Sequence, residues 1–433
     1  MRPWVMNIIF LKNKSDNNMF QQYESVVRSY CNNISALFAR AQGHHLYDAN
    51  GTAYLDFLAG AGALNYGHNN ELMKQAVLAY INGNGVMHSL DLHTVAKLEF
   101  INAFVENILK PRNLDYKLQF TGPTGTNAVE AALKLARKVT GRKRVIAFTG
   151  AFHGMTAAAL ACSAKEDYEG LPSGLDVMRF PFDGFSEGTG LDTLEKLLSH
   201  PGGVAKPAAF ILETLQCEGG LNKASNQWLQ QLSAMAKRHG ILLIADEIQV
   251  GCGRTGSFFS FERAGIEPDI VCLSKSISGM GLPMALVLLK PQYDIWKPGE
   301  HNGTFRGNNL AFVAATIALE HYWRDNVFVE HIAAISAHLH TRLCLLQAEF
   351  AAHITAVRGL GMAQGISFTQ TEMAAKVAKA AYRQGLIIEC CGGFDEVLKF
   401  MPPLTVTTKE VDQAVDIVHA SLVAVLREHY QCA

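Results

Sequence analysis

The chain has 433 residues, 49% hydrophobic and 18% charged, with a formal net charge of −1. That length predicts two or three structural units, and the composition is that of a well-packed soluble enzyme, which excludes disorder. Near-neutral charge leaves no electrostatic footprint for nucleic acid or anionic lipid.

Arg2 precedes an apolar run, Trp4 to Leu11, a faint echo of a signal peptide. The run is short, broken by Asn7 and followed by Lys12-Asn-Lys14 without a small-residue cleavage site, so residues 1–18 read as a disordered extension with Met19 as an alternative start. Tyr54 to Phe57 reads as a strand, and residues 19–65 are expected to form the N-terminal part of a small domain. From 66 to 310, apolar runs alternate with helical patterns. Strands are predicted near Lys117–Thr121, Arg144–Thr149, Ala208–Leu215, Ile241–Ala245, Ile270–Leu273 and Ala285–Leu289, with helices at Asn127–Val139 and Ser225–His239 among them. Such alternation predicts an α/β fold, a mainly parallel sheet between layers of helices. The last unit, 311–433, reads as α+β. Its helices are Asn309–Arg324, Val327–Phe350, Thr371–Gln384 and Thr408–His429, around short strands at Gly365–Phe368, Leu386–Ile388 and Leu398–Phe400. No stretch reaches the roughly 18 apolar residues of a membrane span. Nine cysteines without a Cys-x-x-Cys pair point to reduced thiols in a cytoplasmic protein. The histidines show no metal spacing, and no metal is expected.

Residues that carry chemistry fall at the strand ends. Phe120-Thr-Gly-Pro-Thr-Gly-Thr-Asn127 passes from strand to helix, where Gly125 permits close approach and Thr126 offers a hydroxyl to an anion. Glu130 and Lys134 read as an i,i+4 surface bridge. Phe152 and His153 follow the next strand, a pair that suits either core packing or a platform for a flat ring. Asp246 and Lys275 each end an apolar strand, where a charge is costly unless it meets a partner or a ligand. A capped structural charge is the plain alternative. Together they are the carboxylate and the lysine that a pyridoxal phosphate (PLP) enzyme needs.

The ordered set resembles the class III aminotransferases, the ω-amino branch of fold-type I PLP enzymes. It comprises Gly125-Thr126, Phe152-His-Gly154, Glu213 with Gln216-Cys-Glu-Gly-Gly220, Asp246-Glu-Ile-Gln249, Gly253-Arg-Thr-Gly256, Ser274-Lys275, Gly281-Leu-Pro283 and Gly303-Thr-Phe305, and it spans about Tyr23 to the C-terminus. Ala59 to His68, Gly122 to Asn127 and Trp296 to Asn308 are similar to the members that exchange the 4-amino group of L-2,4-diaminobutyrate with 2-oxoglutarate. That reaction yields aspartate 4-semialdehyde and glutamate, and it opens ectoine synthesis when run in reverse. The resemblance implies PLP held by Lys275, Asp246 at the ring nitrogen, Gln249 at the phenolic oxygen, Phe152 on the ring with His153 beside it, and Gly125 and Thr126 at the phosphate. It further implies Thr304 reaching the phosphate from a second subunit, hence a homodimer or higher homo-oligomer, and Glu213, Glu218 and Lys399 toward substrate. Two positions depart from the wider family, Met155 and Lys399, where many members carry arginine. Transaminases of ornithine, 4-aminobutyrate or a β-amino acid are the nearest rivals, then a PLP aminomutase and a non-catalytic regulator of the same fold.

Overall fold

The computed structural model describes residues 16–164, 176–185 and 190–431. The Trp4 to Leu11 run therefore lies outside the described residues, while Asp16–Tyr23, which includes Met19, is helical. A seven-stranded sheet forms the centre, from β1 (Lys117–Phe120), β2 (Val145–Phe148), β3 (Val177–Phe180), β4 (Ala209–Leu212), β5 (Leu242–Asp246), β6 (Ile270–Leu273) and β7 (Leu286–Leu289). Its order is β1-β7-β6-β5-β4-β2-β3. Strands β2, β4, β5, β6 and β7 are buried along their whole length, as a sheet covered on both faces requires.

Six of these strands fall near or within the expected runs, but β7 pairs antiparallel with both β6 and β1. Twelve residues, Ser274 to Ala285, join β6 to β7, the lower limit for a parallel crossover, and they contain only the single tight turn Lys275–Ser278 rather than a crossover helix. Strand β3 was not expected. Between the strands, Gly125–Thr140 and Asn226–His239 are helices. Ser225 caps the second by accepting from the Trp228 amide at 3.2 Å, and Gly240, at φ 59°, ends it.

The two chain ends build the smaller sheets. Phe38–Gln42, His45–Asp48 and Ala53–Asp56 form a meander, which Leu386–Ile387 joins in parallel beside Leu55. Ile354–Leu360, Ala363–Phe368, Val397–Phe400 and Glu389–Cys391 form an antiparallel sheet. The helix Asn309–Tyr322 packs on Glu71–Asn82 and Val95–Phe104. Among the described residues no helix is long and apolar enough to cross a membrane.

One side chain ties these pieces together. Arg254 is fully buried and donates to the carbonyls of Met362 at 3.0 Å and Pro402 at 2.5 Å and to Asn65 Oδ1 at 2.5 Å. Burial pulls its guanidinium down to about 10. Arg254→Met strands three buried acceptors, each costing about 1–3 kcal/mol. The urea midpoint should fall by an amount equivalent to about 3 kcal/mol or more; an unchanged midpoint would show that the tie is dispensable.

Candidate active site

The carboxyl ends of the parallel strands gather the expected residues at one edge of the central sheet, where open α/β sheets bind ligands. After β1 comes the start of the helix Gly125–Thr140. Its Asn127 Oδ1 accepts from Thr124 N at 3.2 Å and Thr124 Oγ1 at 2.8 Å, which fixes the turn. A Cβ on Gly125 would meet Ile248 at 3.0 Å, and one on Gly154 would meet Thr126 Oγ1 at 2.5 Å. Glycine is thus required on both sides of this anion-binding helix start. Thr126 Oγ1 also lies 2.6 Å from Thr156 Oγ1.

The expected Glu130–Lys134 bridge is absent. Glu130 Oε1 instead accepts from Thr156 Oγ1 at 2.6 Å and from the amides of Ala158 and Ala159, capping the helix after the Phe152 loop. Lys134 Nζ donates to the Glu300 carbonyl. Helical spacing brought the pair near, but three donors at a helix start outcompete one solvated ammonium.

After β5, Asp246 is buried, with Oδ1 accepting from Ile248 N at 3.1 Å and Oδ2 lying 2.7 Å from His153 Nδ1. His153 therefore orients the carboxylate, and its Nε2 is buried with no hydrogen-bond partner among the described residues. Glu213, at the end of β4, accepts from the Phe152 amide at 2.9 Å. Burial, then repulsion from Asp246, pushes its carboxyl well above the ordinary range. It lies behind Phe152 and holds the loop that carries that ring.

Lys275 follows β6 with φ 53°, a left-handed backbone that a lysine adopts only under constraint. Its Nζ donates to the Ala61 carbonyl at 2.9 Å, and loss of solvent pulls the ammonium below its ordinary range, with Glu218 opposing. Ala61 was not anticipated as a site residue. Ala59, Gly60, Ala61 and Gly62 all have φ between 49° and 85°, a left-handed turn that aims the Ala61 carbonyl inward. The two glycines in Ala59-Gly-Ala-Gly62 are its only sequence trace. Gln249 Nε2 donates to the same carbonyl at 3.0 Å and to Glu218 Oε1 at 2.9 Å.

Lys399 is fully buried, 2.8 Å from Glu218 Oε1 and 3.0 Å from Glu389 Oε1. Burial would neutralise it, but the two carboxylates outweigh that and hold its ammonium well above its ordinary range. Burial likewise pushes Glu218 up, yet Lys399, Lys275 and the hydrogen bond from Gln249 hold it at about 2. Met155 is exposed in the single chain. Thr304 is exposed too, and no hydrogen bond joins it to Gly125, Thr126 or Lys275.

The profile of the class III aminotransferases matches residues 27–422, and the chain belongs to that family. It is 52% identical over 419 residues to the diaminobutyrate–2-oxoglutarate transaminase of Vibrio parahaemolyticus, covering 96% of this chain and all of that protein. It is 50% identical over 415 residues to the protein of the same name from Virgibacillus pantothenticus, covering 95% of this chain and all of that protein. Among solved structures it is similar to the ornithine aminotransferase of Toxoplasma gondii, in which PLP partially occupies the active site, with a TM-score of 0.83 and 26% identity across 96% of each chain. The α/β architecture is therefore that of fold-type I aminotransferases.

Next to Asp246, Glu247 is buried and accepts from Ser260 N at 2.7 Å and Ser260 Oγ at 2.5 Å. Burial raises its carboxyl to about 7 from an ordinary 4.5, with the Ser260 hydrogen bonds opposing. The folded state therefore holds an extra proton between these values, and stability falls as pH rises through that window, by about 3 kcal/mol in total. Glu247→Gln removes this titration. Its melting temperature should decline less than the parent's from pH 5 to pH 8, and parallel declines would contradict the assignment.

Proposed function

We propose that this aminotransferase uses PLP to exchange the 4-amino group of L-2,4-diaminobutyrate with 2-oxoglutarate, giving aspartate 4-semialdehyde and glutamate. The observation that carries the reading is the Lys399–Glu218 ion pair at 2.8 Å, a cation that can be uncovered for a dicarboxylate and covered again for a diamine. Half-identical relatives that carry this activity in their names support the same substrates.

The residues fit PLP. The dipole and free amides of the helix start at Gly125 and Thr126 suit a phosphate. Asp246, held by His153 at 2.7 Å, suits a protonated ring nitrogen. When bound, PLP supplies the electron sink that stabilises a carbanion at the amino-bearing carbon. Lys275 Nζ would hold PLP covalently and, as the free amine, would take the proton from that carbon. Its lowered pKa favours the neutral, nucleophilic amine. Phe152 would cover the ring, and Glu213 acts on Phe152 through its amide, a positioning role. Gln249 keeps its phenolic-oxygen assignment only when it releases Ala61 or Glu218.

A homodimer fits the surface. Leu72, Leu78, Val86, Met87, Leu92 and Leu98 are exposed on one chain, apolar surface that a second copy would cover. Phe305 meets His88, ring centroids 5.2 Å apart, and the neighbouring Thr304 would reach the partner's phosphate site from there.

Two substitutions test the reading. Lys275→Ala should abolish turnover, and borohydride reduction of the PLP-loaded parent followed by mass spectrometry should find the adduct on Lys275; an adduct elsewhere refutes the anchor. Lys399→Met, followed by stopped-flow absorbance, should slow the glutamate half-reaction by about 100-fold or more and the diaminobutyrate half-reaction far less, while Lys399→Arg, which keeps the charge, should lose less of the glutamate half-reaction than Lys399→Met. Equal losses would put carboxylate selection elsewhere.

A further inference from the structure

Lys399 is answered by one carboxylate more than its charge requires. Glu389 stands directly opposite it in the antiparallel pairing of Glu389–Cys391 with Val397–Phe400. Its Oε1 lies 3.0 Å from Lys399 Nζ, yet off the hydrogen-bond axis, and that buried oxygen has no hydrogen-bond partner among the described residues. Glu218 is the carboxylate that hydrogen-bonds the ammonium. The formal charge of Glu218, Glu389 and Lys399 is therefore −1 before any substrate enters. Burial pushes the Glu389 carboxyl above its ordinary range, and Lys399 only partly offsets this, so the group gains from a second cation. Glu389 is linked to the reacting end of the site through Lys399, which donates to Glu218 Oε1, the same oxygen that accepts from Gln249.

We propose that Glu389 is a specificity-determining residue that receives the α-ammonium of a diamino acid whose distal amine is reacting. This rests on the diaminobutyrate reading and assigns a residue to the end of the substrate which that reading leaves unassigned. The charge count decides the preference. The distal end of diaminobutyrate carries an ammonium and a carboxylate, net zero, and the ammonium meets the surplus carboxylate. 4-Aminobutyrate has the same chain and carboxylate but hydrogen in place of the α-ammonium, so it brings a bare anion to a site already at −1. Like charge brought to an enclosed anionic cluster is repelled. A glutamate carboxylate can displace Glu218 from Lys399, but glutamate too brings no second ammonium, so the surplus charge of Glu389 gives it no advantage.

The test is Glu389→Gln, assayed as separate half-reactions of the PLP-loaded enzyme with diaminobutyrate, 4-aminobutyrate and glutamate. The efficiency with diaminobutyrate should fall by about tenfold or more, that with 4-aminobutyrate should rise, and that with glutamate should hold or improve, since Lys399 loses a competing carboxylate. Equal losses with all three substrates would make Glu389 a structural counter-ion and overturn the proposal, as would an unchanged ratio of the two amines. If Glu389→Gln does not fold, Glu389→Asp keeps the charge but withdraws it by one methylene. The preference for diaminobutyrate over 4-aminobutyrate should then narrow severalfold, and an unchanged preference overturns the proposal. A parent enzyme that consumes glutamate but not diaminobutyrate would refute the substrate reading itself, a result distinct from any failure of the variants.

Discussion

A cation withdrawn from water must be answered by acceptors, and the kind of acceptor decides what the cation can do. Three cations in this protein make the point. Lys399 faces two carboxylates and keeps its charge. Lys275 is bonded to a neutral carbonyl, with Glu218 acting only through its field, and its ammonium is weakened toward the free amine. Arg254 finds only neutral oxygens, but a guanidinium cannot be neutralised near pH 7, so it remains a fastener. The same requirement yields a charge selector, a nucleophile and a structural tie.

Supplying the neutral carbonyl to Lys275 shapes the N-terminal part of the chain. The left-handed turn from Ala59 to Gly62 costs roughly 1–2 kcal/mol for each non-glycine residue in it. Hydrogen bonds at both ends offset that cost. Asp56 Oδ1 accepts from the amides of Leu58 and Ala59 at 2.9 Å each, and Ser276 Oγ donates to the Gly62 carbonyl at 2.7 Å. Asn65 then accepts from Arg254 and donates to the Cys252 carbonyl. The turn therefore holds its shape only against the central sheet, and the site is complete only when residues some 200 positions apart have met. Such contacts close late in folding, because their loop entropy must be met first.

What was legible in the sequence follows from this. Strand-end residues such as Asp246 and Lys275 could be read because an apolar run ending on a charge is a local pattern, whereas Glu213, inside the expected run Ala208–Leu215, came only with the family resemblance. The helix Asn226–His239 was equally plain, with Ser225 and Gly240 marking its ends. Ala61 was illegible, since its contribution is a backbone carbonyl and any residue has one. Glu389 was missed for another reason. It becomes relevant only through cross-strand register with Lys399, and the run Ile388-Glu-Cys-Cys391 gives no alternation from which a register can be inferred. The orientation of β7 and the true partners of Glu130 and Lys134 were likewise tertiary facts. In each case helical spacing or apolar content was correct and the neighbour supplied by the rest of the chain was decisive.

A lysine at 399 suits this site where an arginine would not. The compact ammonium lets Glu218 and Glu389 converge on one nitrogen, whereas a planar fork would spread them over separate donors and bind each more rigidly. One of the two, Glu218, keeps 30% of its side chain exposed and is the carboxylate that can leave; Glu389 is the more enclosed, at 13%. Departure of Glu218 has a consequence at the other end of the site. Gln249 bridges Glu218 Oε1, at 2.9 Å, to the Ala61 carbonyl, at 3.0 Å, and that carbonyl also accepts from Lys275 Nζ at 2.9 Å. A substrate carboxylate that displaces Glu218 from Lys399 thus also removes one acceptor from Gln249, and the amide is freed to turn elsewhere. Charge selection at Lys399 and the hydrogen-bonding of the reactive lysine are thereby joined through one amide and one strained carbonyl.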